Sequence, residues 1–118
     1  RMPKDTEEEK ETRSRMMQEG YKKATDVPLQ TVNQCVEALR VCCEISEIMD
    51  AGMASDVGSG ALLAKAGAES AGLNVKINLK EIKDENFKKD FESRLKKLIQ
   101  NSNTLCEKTI NNVNAKIG

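Results

Sequence analysis

An all-α fold, a bundle of about four helices, is predicted by three observations. Apolar residues recur at spacings of three, four and seven along most of the 118-residue chain, the period of one helix face. No segment alternates apolar and polar residues convincingly enough for a strand. NVKINL alternates for six residues, but without turn signals around it, it more simply continues a helix. Third, Ser55 to Leu79 is mainly Gly, Ala, Ser and Leu, with Lys65 and Glu69 as the charges between Val57 and Leu73. Four glycines in one helix each cost about 1 kcal/mol relative to alanine, so Gly58, Gly60, Gly67 and Gly72 require neighbours that approach closely.

The elements follow in order. Thr6-Glu7-Glu8-Glu9 fits a capping box with acidic residues in the first turn. The helix it opens is expected to run to about Thr25. Met16, Met17 and Tyr21 supply only part of an apolar face, which keeps it near the surface. Val27-Pro28 should break or kink the chain, because the residue before proline is pushed out of the α region.

A second helix is expected from Pro28 to Ala51. Leu29, Val32, Val36, Leu39 and Cys43 share one face, Ile45, Ile48 and Met49 extend it, and Val41 and Cys42 lie off it. Gly52 suits the position after its end. The Gly/Ala helix follows, started by Ser55 or Asp56 as cap and ending near Leu79. Asp84 caps a last helix carrying Phe87, Phe91, Leu95, Leu98, Leu105, Val113 and Ile117. Its asparagine-rich far half favours fraying after about Ile110.

Composition narrows the function. The chain has 19 basic and 19 acidic residues, so there is no electrostatic footprint for nucleic acid and no polybasic membrane patch. Tyr21, Phe87 and Phe91 are the aromatic residues, too few for base stacking. Histidine is absent, which excludes histidine metal ligation and Ser-His or Cys-His catalysis. Cys35, Cys42, Cys43 and Cys106 fit neither a metal motif nor a disulfide framework. Cys35 and Cys42, two helical turns apart on one face, read as buried thiols of a cytoplasmic protein. No signal peptide and no uncharged run near 18 residues is present. The start at Arg1, with Met2 behind it, suggests a piece of a longer chain, with a core small for enclosing a ligand by itself.

Few residues carry chemistry. Asp56 is the acid between Asp50 and Glu69, and serves either as a helix cap or as a functional carboxylate. Asp56, Gly60, Leu63, Gly67, Ala71, Asn74 and Asn78 fall along one helical stripe. Asp56 and Asn74 are then about 27 Å apart, too far for one small ligand unless a twofold-related copy contributes one of them. Asn74 and Asn78 are one turn apart, suited to interhelical contacts or to a heterocycle with a donor–acceptor edge. Lys76, Lys80 and Lys83 form either a solvated helix end or a basic strip for a polycarboxylate tail.

The motifs PKxTxEEK, SDVG and NVxINLxxIxDExF, read here as PKDTEEEK, SDVG and NVKINLKEIKDENF, occur in an order and spacing that resemble the cyclodeaminase/cyclohydrolase family of folate one-carbon enzymes. The resemblance runs the whole length of the chain and covers the C-terminal two-thirds of that family's domain. It implies an all-helical, homodimeric enzyme acting on a tetrahydrofolate derivative, with no prosthetic group or metal. The reaction implied is closure of 5-formiminotetrahydrofolate to 5,10-methenyltetrahydrofolate with loss of ammonia; hydrolysis of the methenyl bridge is the alternative. Ser55, Asp56, Asn74 and Asn78 match the family's recurrent polar positions, and Lys76 stands where a basic residue is usual. The family's glycine-rich PGGGS segment and its catalytic aspartate, in a DxDAxAF context, would lie before Arg1. Residues 1–118 alone are therefore expected to be inactive. A non-catalytic helical assembly module is the reading outside enzymology.

Overall fold

In a computed structural model that describes residues 6–118, three long helices carry the chain: α1, Glu7–Ile48; α2, Ala54–Leu79; and α3, Glu85–Ile117. One 3₁₀ turn, Ala51–Met53, links the first two. No strand occurs among the described residues. Pro3 and Lys4 of the first motif lie outside them. Two caps sit where the sequence places them. Thr6 Oγ1 accepts from the Glu9 N–H at 3.1 Å, and Asp84 Oδ1 accepts from the Phe87 N–H at 3.1 Å.

Three expectations are corrected. The break at Val27-Pro28 does not occur: α1 runs unbroken for 42 residues with Pro28 inside it, about 63 Å of helix. The expected first two helices are one. A proline within a helix removes one hydrogen bond and costs about 3 kcal/mol. Here the core on either side holds the helix together, since Thr25, Leu29 and Val32 are all buried. The acceptor Pro28 leaves without its helical donor, the Ala24 carbonyl, receives the Asn78 Nδ2–H of α2 at 3.2 Å.

The second correction concerns α3, which continues to Ile117 instead of fraying after Ile110. Its polar half is held because small side chains there face inward: Ser102, Cys106 and Thr109 are buried with Val113. The third is that α2 has no side-chain cap. Met53 occupies that position, and Asp56 lies within the first turn. Gly52 falls within the 3₁₀ turn, and Met49 terminates α1.

The three helices form one bundle in which each touches the other two. Leu29, Val32, Val75, Leu79, Phe91 and Leu95 make the principal apolar cluster, and Leu39, Ala61 and Cys106 continue it. The glycines of α2 mark its closest contacts. A Cβ at Gly67 would lie 3.0 Å from Cys35 Sγ, and one at Gly60 3.5 Å from Cys42 Sγ. Seven residues forward on α1 thus match seven backward on α2, the register of an antiparallel pair. Gly58 and Gly72 do the same for α3, against Val113 and against Leu95 and Ile99. Half-buried or buried in these seams, the cysteines are free thiols. Burial raises the pKa of Cys42 and of Cys106, which keeps both as unreactive thiols.

The α2–α3 turn is tied to α1. Gln18 Nε2 donates to the Glu81 carbonyl at 2.9 Å, Gln18 Oε1 accepts from the Lys83 N–H at 2.8 Å, and Lys22 Nζ pairs with Asp84 at 2.9 Å. The Lys22 hydrogen bond, helped by the Phe87 N–H, lowers the Asp84 pKa; the same bond raises that of Lys22. Asp84 therefore contributes stability that is present above the unfolded carboxylate value, about 3.9, and is lost as pH falls through the folded value. Lys22 contributes below its unfolded value of about 10.4, and this is lost as pH rises through the folded one. Lys22→Met is expected to lower the melting temperature at pH 7, with the gap to wild type closing once pH drops well under about 3.9. An undiminished gap in acid melts would place the effect in lost packing of the lysine stem.

Ser102 Oγ is buried with no hydrogen-bond partner. Leaving such a hydroxyl unpaired costs about 1–3 kcal/mol. Ser102→Ala is accordingly expected to stabilise by about 1 kcal/mol in urea titrations; a loss of stability would reveal a bonded hydroxyl.

A shallow groove with two amides and no ionisable group

Between α1 and the C-terminal half of α2 lies a groove of about 350 Å³ lined by Ala24, Val27, Pro28, Thr31, Ala71, Asn74 and Asn78. The small side chains of Ala24, Pro28 and Ala71 among its lining residues leave it open. Asn78 is half-buried, with its Nδ2 committed to the Ala24 carbonyl. Its Oδ1 has no partner among the described residues. Asn74 is exposed and makes no hydrogen bond among the described residues. Thr31 Oγ1 donates to the Val27 carbonyl at 3.2 Å. None of the lining side chains ionises. The groove can offer donors, acceptors and a flat apolar floor, but no general acid or base.

Of the sequence stripe from Asp56 to Asn78, Gly60 and Gly67 meet α1 at Cys42 and Cys35 and Ala71, Asn74 and Asn78 line the groove, whereas Asp56 and Leu63 are exposed. Its two ends remain apart. Ser55 and Asp56 are exposed in the first turn of α2, about 27 Å along the helix from Asn74. Lys76 lies on the other side of α2, in a separate groove of about 290 Å³ with Leu79, Glu92, Leu95, Lys96, Ile99 and Gln100. Because α2 ends at Leu79 with Lys80 as its cap, Lys83 leaves the helical spacing that would have aligned it with Lys76. The structure thus unites Asn74 with Asn78 and leaves Ser55, Asp56 and Lys76 elsewhere.

Sequence reasoning missed Pro28, Thr31 and the Ala24 carbonyl as parts of this groove. One signal was available: a proline inside a helix always vacates the carbonyl four residues earlier, which then seeks a donor.

A fold of long helices packed through glycine and cysteine, with a polar groove at one seam, defines the class as an all-α helical-bundle domain. The family model Formiminotransferase-cyclodeaminase matches residues 1–97, and the chain belongs to that family. It is 35% identical over 116 residues to the methenyltetrahydrofolate cyclohydrolase of Methylorubrum extorquens, covering 98% of this chain and 56% of that protein. It is 32% identical over 119 residues to the formimidoyltransferase-cyclodeaminase of Rattus norvegicus, covering 98% of this chain and 21% of that protein. The Gallus gallus protein of the same name is 34% identical over 103 residues, 85% of this chain and 18% of its own. The chain therefore spans about half the length of the bacterial relative and about a fifth of the vertebrate ones. No helix among the described residues is long and apolar enough to cross a membrane.

Proposed function

We propose that this chain is the C-terminal portion of one cyclodeaminase-like domain that acts in folate one-carbon metabolism. The whole domain closes 5-formiminotetrahydrofolate to 5,10-methenyltetrahydrofolate. In that step N10 attacks the carbon of the protonated formimino group and gives up its own proton to a general base. The former imine nitrogen becomes an amine and takes a proton from a general acid, and its bond to carbon breaks to release ammonia and leave the methenyl cation. The observation that carries the reading is the groove itself. Asn74 and Asn78 offer a flat ring two amides and no ionisable group, so this portion binds while the proton-handling residue comes from outside it. The 35% identity to a methenyltetrahydrofolate cyclohydrolase favours one alternative, hydrolysis of the methenyl bridge by the same site.

The experiment is direct. The intact protein should release ammonia from 5-formiminotetrahydrofolate and accumulate a product absorbing as the methenyl compound. Loss of absorbance from added methenyltetrahydrofolate, with no ammonia formed from the formimino substrate, would instead select the hydrolase.

The domain is proposed to act as a homodimer. The outward side of α2 supports this, since Leu62, Leu63, Leu73 and Ile77 are all exposed, Leu63 by 73%. Apolar patches of this kind mark interfaces. Across a twofold axis, Ser55 and Asp56 of one copy could approach the amide groove of the other. Lys76 would serve a glutamate tail only from its own groove. Leu63→Glu is expected to convert dimer to folded monomer in sedimentation experiments; a dimer that survives it lies on another face.

A further inference from the structure

We infer that Pro28 is a positioning residue for the ligand: it sets which half of the Asn78 carboxamide is available in the groove. The inference rests on the reading of this groove as the folate site. A carboxamide is ambiguous, since one half donates and the other accepts, and a free one can turn either way. At Asn78 the ambiguity is removed from outside. Pro28 has no N–H, so the Ala24 carbonyl lacks its helical donor. A carbonyl can only accept, so the Nδ2–H of Asn78, 3.2 Å away, is the half that must turn toward α1. Oδ1 is left as the half without a partner among the described residues.

The groove therefore holds one fixed acceptor. Asn74, one turn earlier and without a hydrogen bond among the described residues, remains free to present either half. A ligand that places an N–H against Asn78 and any polar group against Asn74 is matched. One that places a carbonyl against Asn78 meets two acceptors facing each other. A pterin edge carries adjacent N–H donors beside a carbonyl and fits only in the orientation that turns the N–H groups to Asn78. Pro28 thus selects ligand orientation without touching the reacting atoms. Restoring an N–H at position 28 gives Ala24 back its helical donor, and the Asn78 amide then has a competitor for that carbonyl and can flip.

The test uses the intact protein, with 5-formyltetrahydrofolate as a stable probe, and measures Kd by calorimetry for wild type, Pro28→Ala, Asn78→Ala and the double variant. Thermal melts run alongside. Asn78→Ala is expected to weaken binding about tenfold or more, as for a lost hydrogen bond at a partly buried site. Pro28→Ala is expected to weaken it at least about threefold while the melting temperature holds or rises, because alanine suits a helix interior better than proline. The double variant should bind no worse than Asn78→Ala alone. Weak binding by Asn78→Ala with normal binding by Pro28→Ala overturns the role of Pro28 and leaves the folate site standing. Normal binding by both removes the site, and the inference with it. Should Pro28→Ala lower the melting temperature, nitrogen-15 spectra of the Asn78 side chain decide. Faster exchange of its NH₂ protons than in wild type supports the inference, and unchanged exchange overturns it.

Discussion

Gly67→Leu is expected to unfold the protein rather than merely weaken it. The first carbon added at Gly67 would already stand 3.0 Å from Cys35 Sγ, tighter than ordinary van der Waals contact. The Cys35 side chain must give way before three further carbons can follow the first. Overpacking of this kind costs about 1–3 kcal/mol when neighbours can shift. If the half-buried Cys35 side chain does not turn aside, relief comes from parting the helices along a seam that also carries the Cys42–Gly60 contact and the Asn78–Ala24 hydrogen bond. Against a total stability of about 5–15 kcal/mol for a domain of this size, loss of that seam suffices to abolish folding. Far-ultraviolet circular dichroism at 25 °C should show the helical signal largely gone. Cys35→Ala in the same chain should restore part of it, since removing the sulfur opens space where the new side chain enters. A Gly67→Leu protein as helical and as heat-resistant as wild type would mean that the α1–α2 seam is looser than these contacts require.

The second large effect is all-or-none. Residues 1–118 alone are expected to give no ammonia from 5-formiminotetrahydrofolate, although they retain the amide groove. Proton transfer in the ring closure needs a group within hydrogen-bond reach of the departing nitrogen. Among the groove's lining residues there is no acid, amine or thiol. Asp56, the acid on the matching stripe, is about 27 Å away along α2. The chain should still bind a tetrahydrofolate weakly, so calorimetry and the ammonia assay are read together. Binding without turnover is the expected pair of results. Turnover by residues 1–118 would show that the chemistry is carried by these residues alone, with Asp56 of a second copy as the group to mutate next. Absence of activity in the intact protein as well would favour the assembly module that keeps the fold without the reaction.

Much of this architecture is written locally in the chain. The capping residues Thr6 and Asp84 act within one turn of their own helices, and Leu29, Val32, Val36, Leu39 and Cys43 mark a buried face by spacing alone. The need for close neighbours at Gly58, Gly60, Gly67 and Gly72 was also legible, because glycine is costly in a helix unless something occupies the missing side chain's place. The family was legible from motif order, and the match over residues 1–97 agrees with it.

Tertiary structure decided the rest, for a common physical reason. Local propensity ranks what a segment prefers in isolation, whereas a packed neighbour can supply the missing partner or the missing burial. Pro28 reads as a break because its lost hydrogen bond has no local replacement; Asn78, fifty residues later in the chain, delivers one to the Ala24 carbonyl. The far half of α3 reads as polar and prone to fray because of its asparagines; Ser102 and Thr109 between them are small enough to be buried as core. Lys76, Lys80 and Lys83 share a spacing, but the helix ends at its cap Lys80, so the spacing has no helix to carry it to Lys83. Asn74 and Asn78 could be paired from sequence because one helix carries both. The groove they line could not, since its other wall is a proline that only the fold brings opposite them.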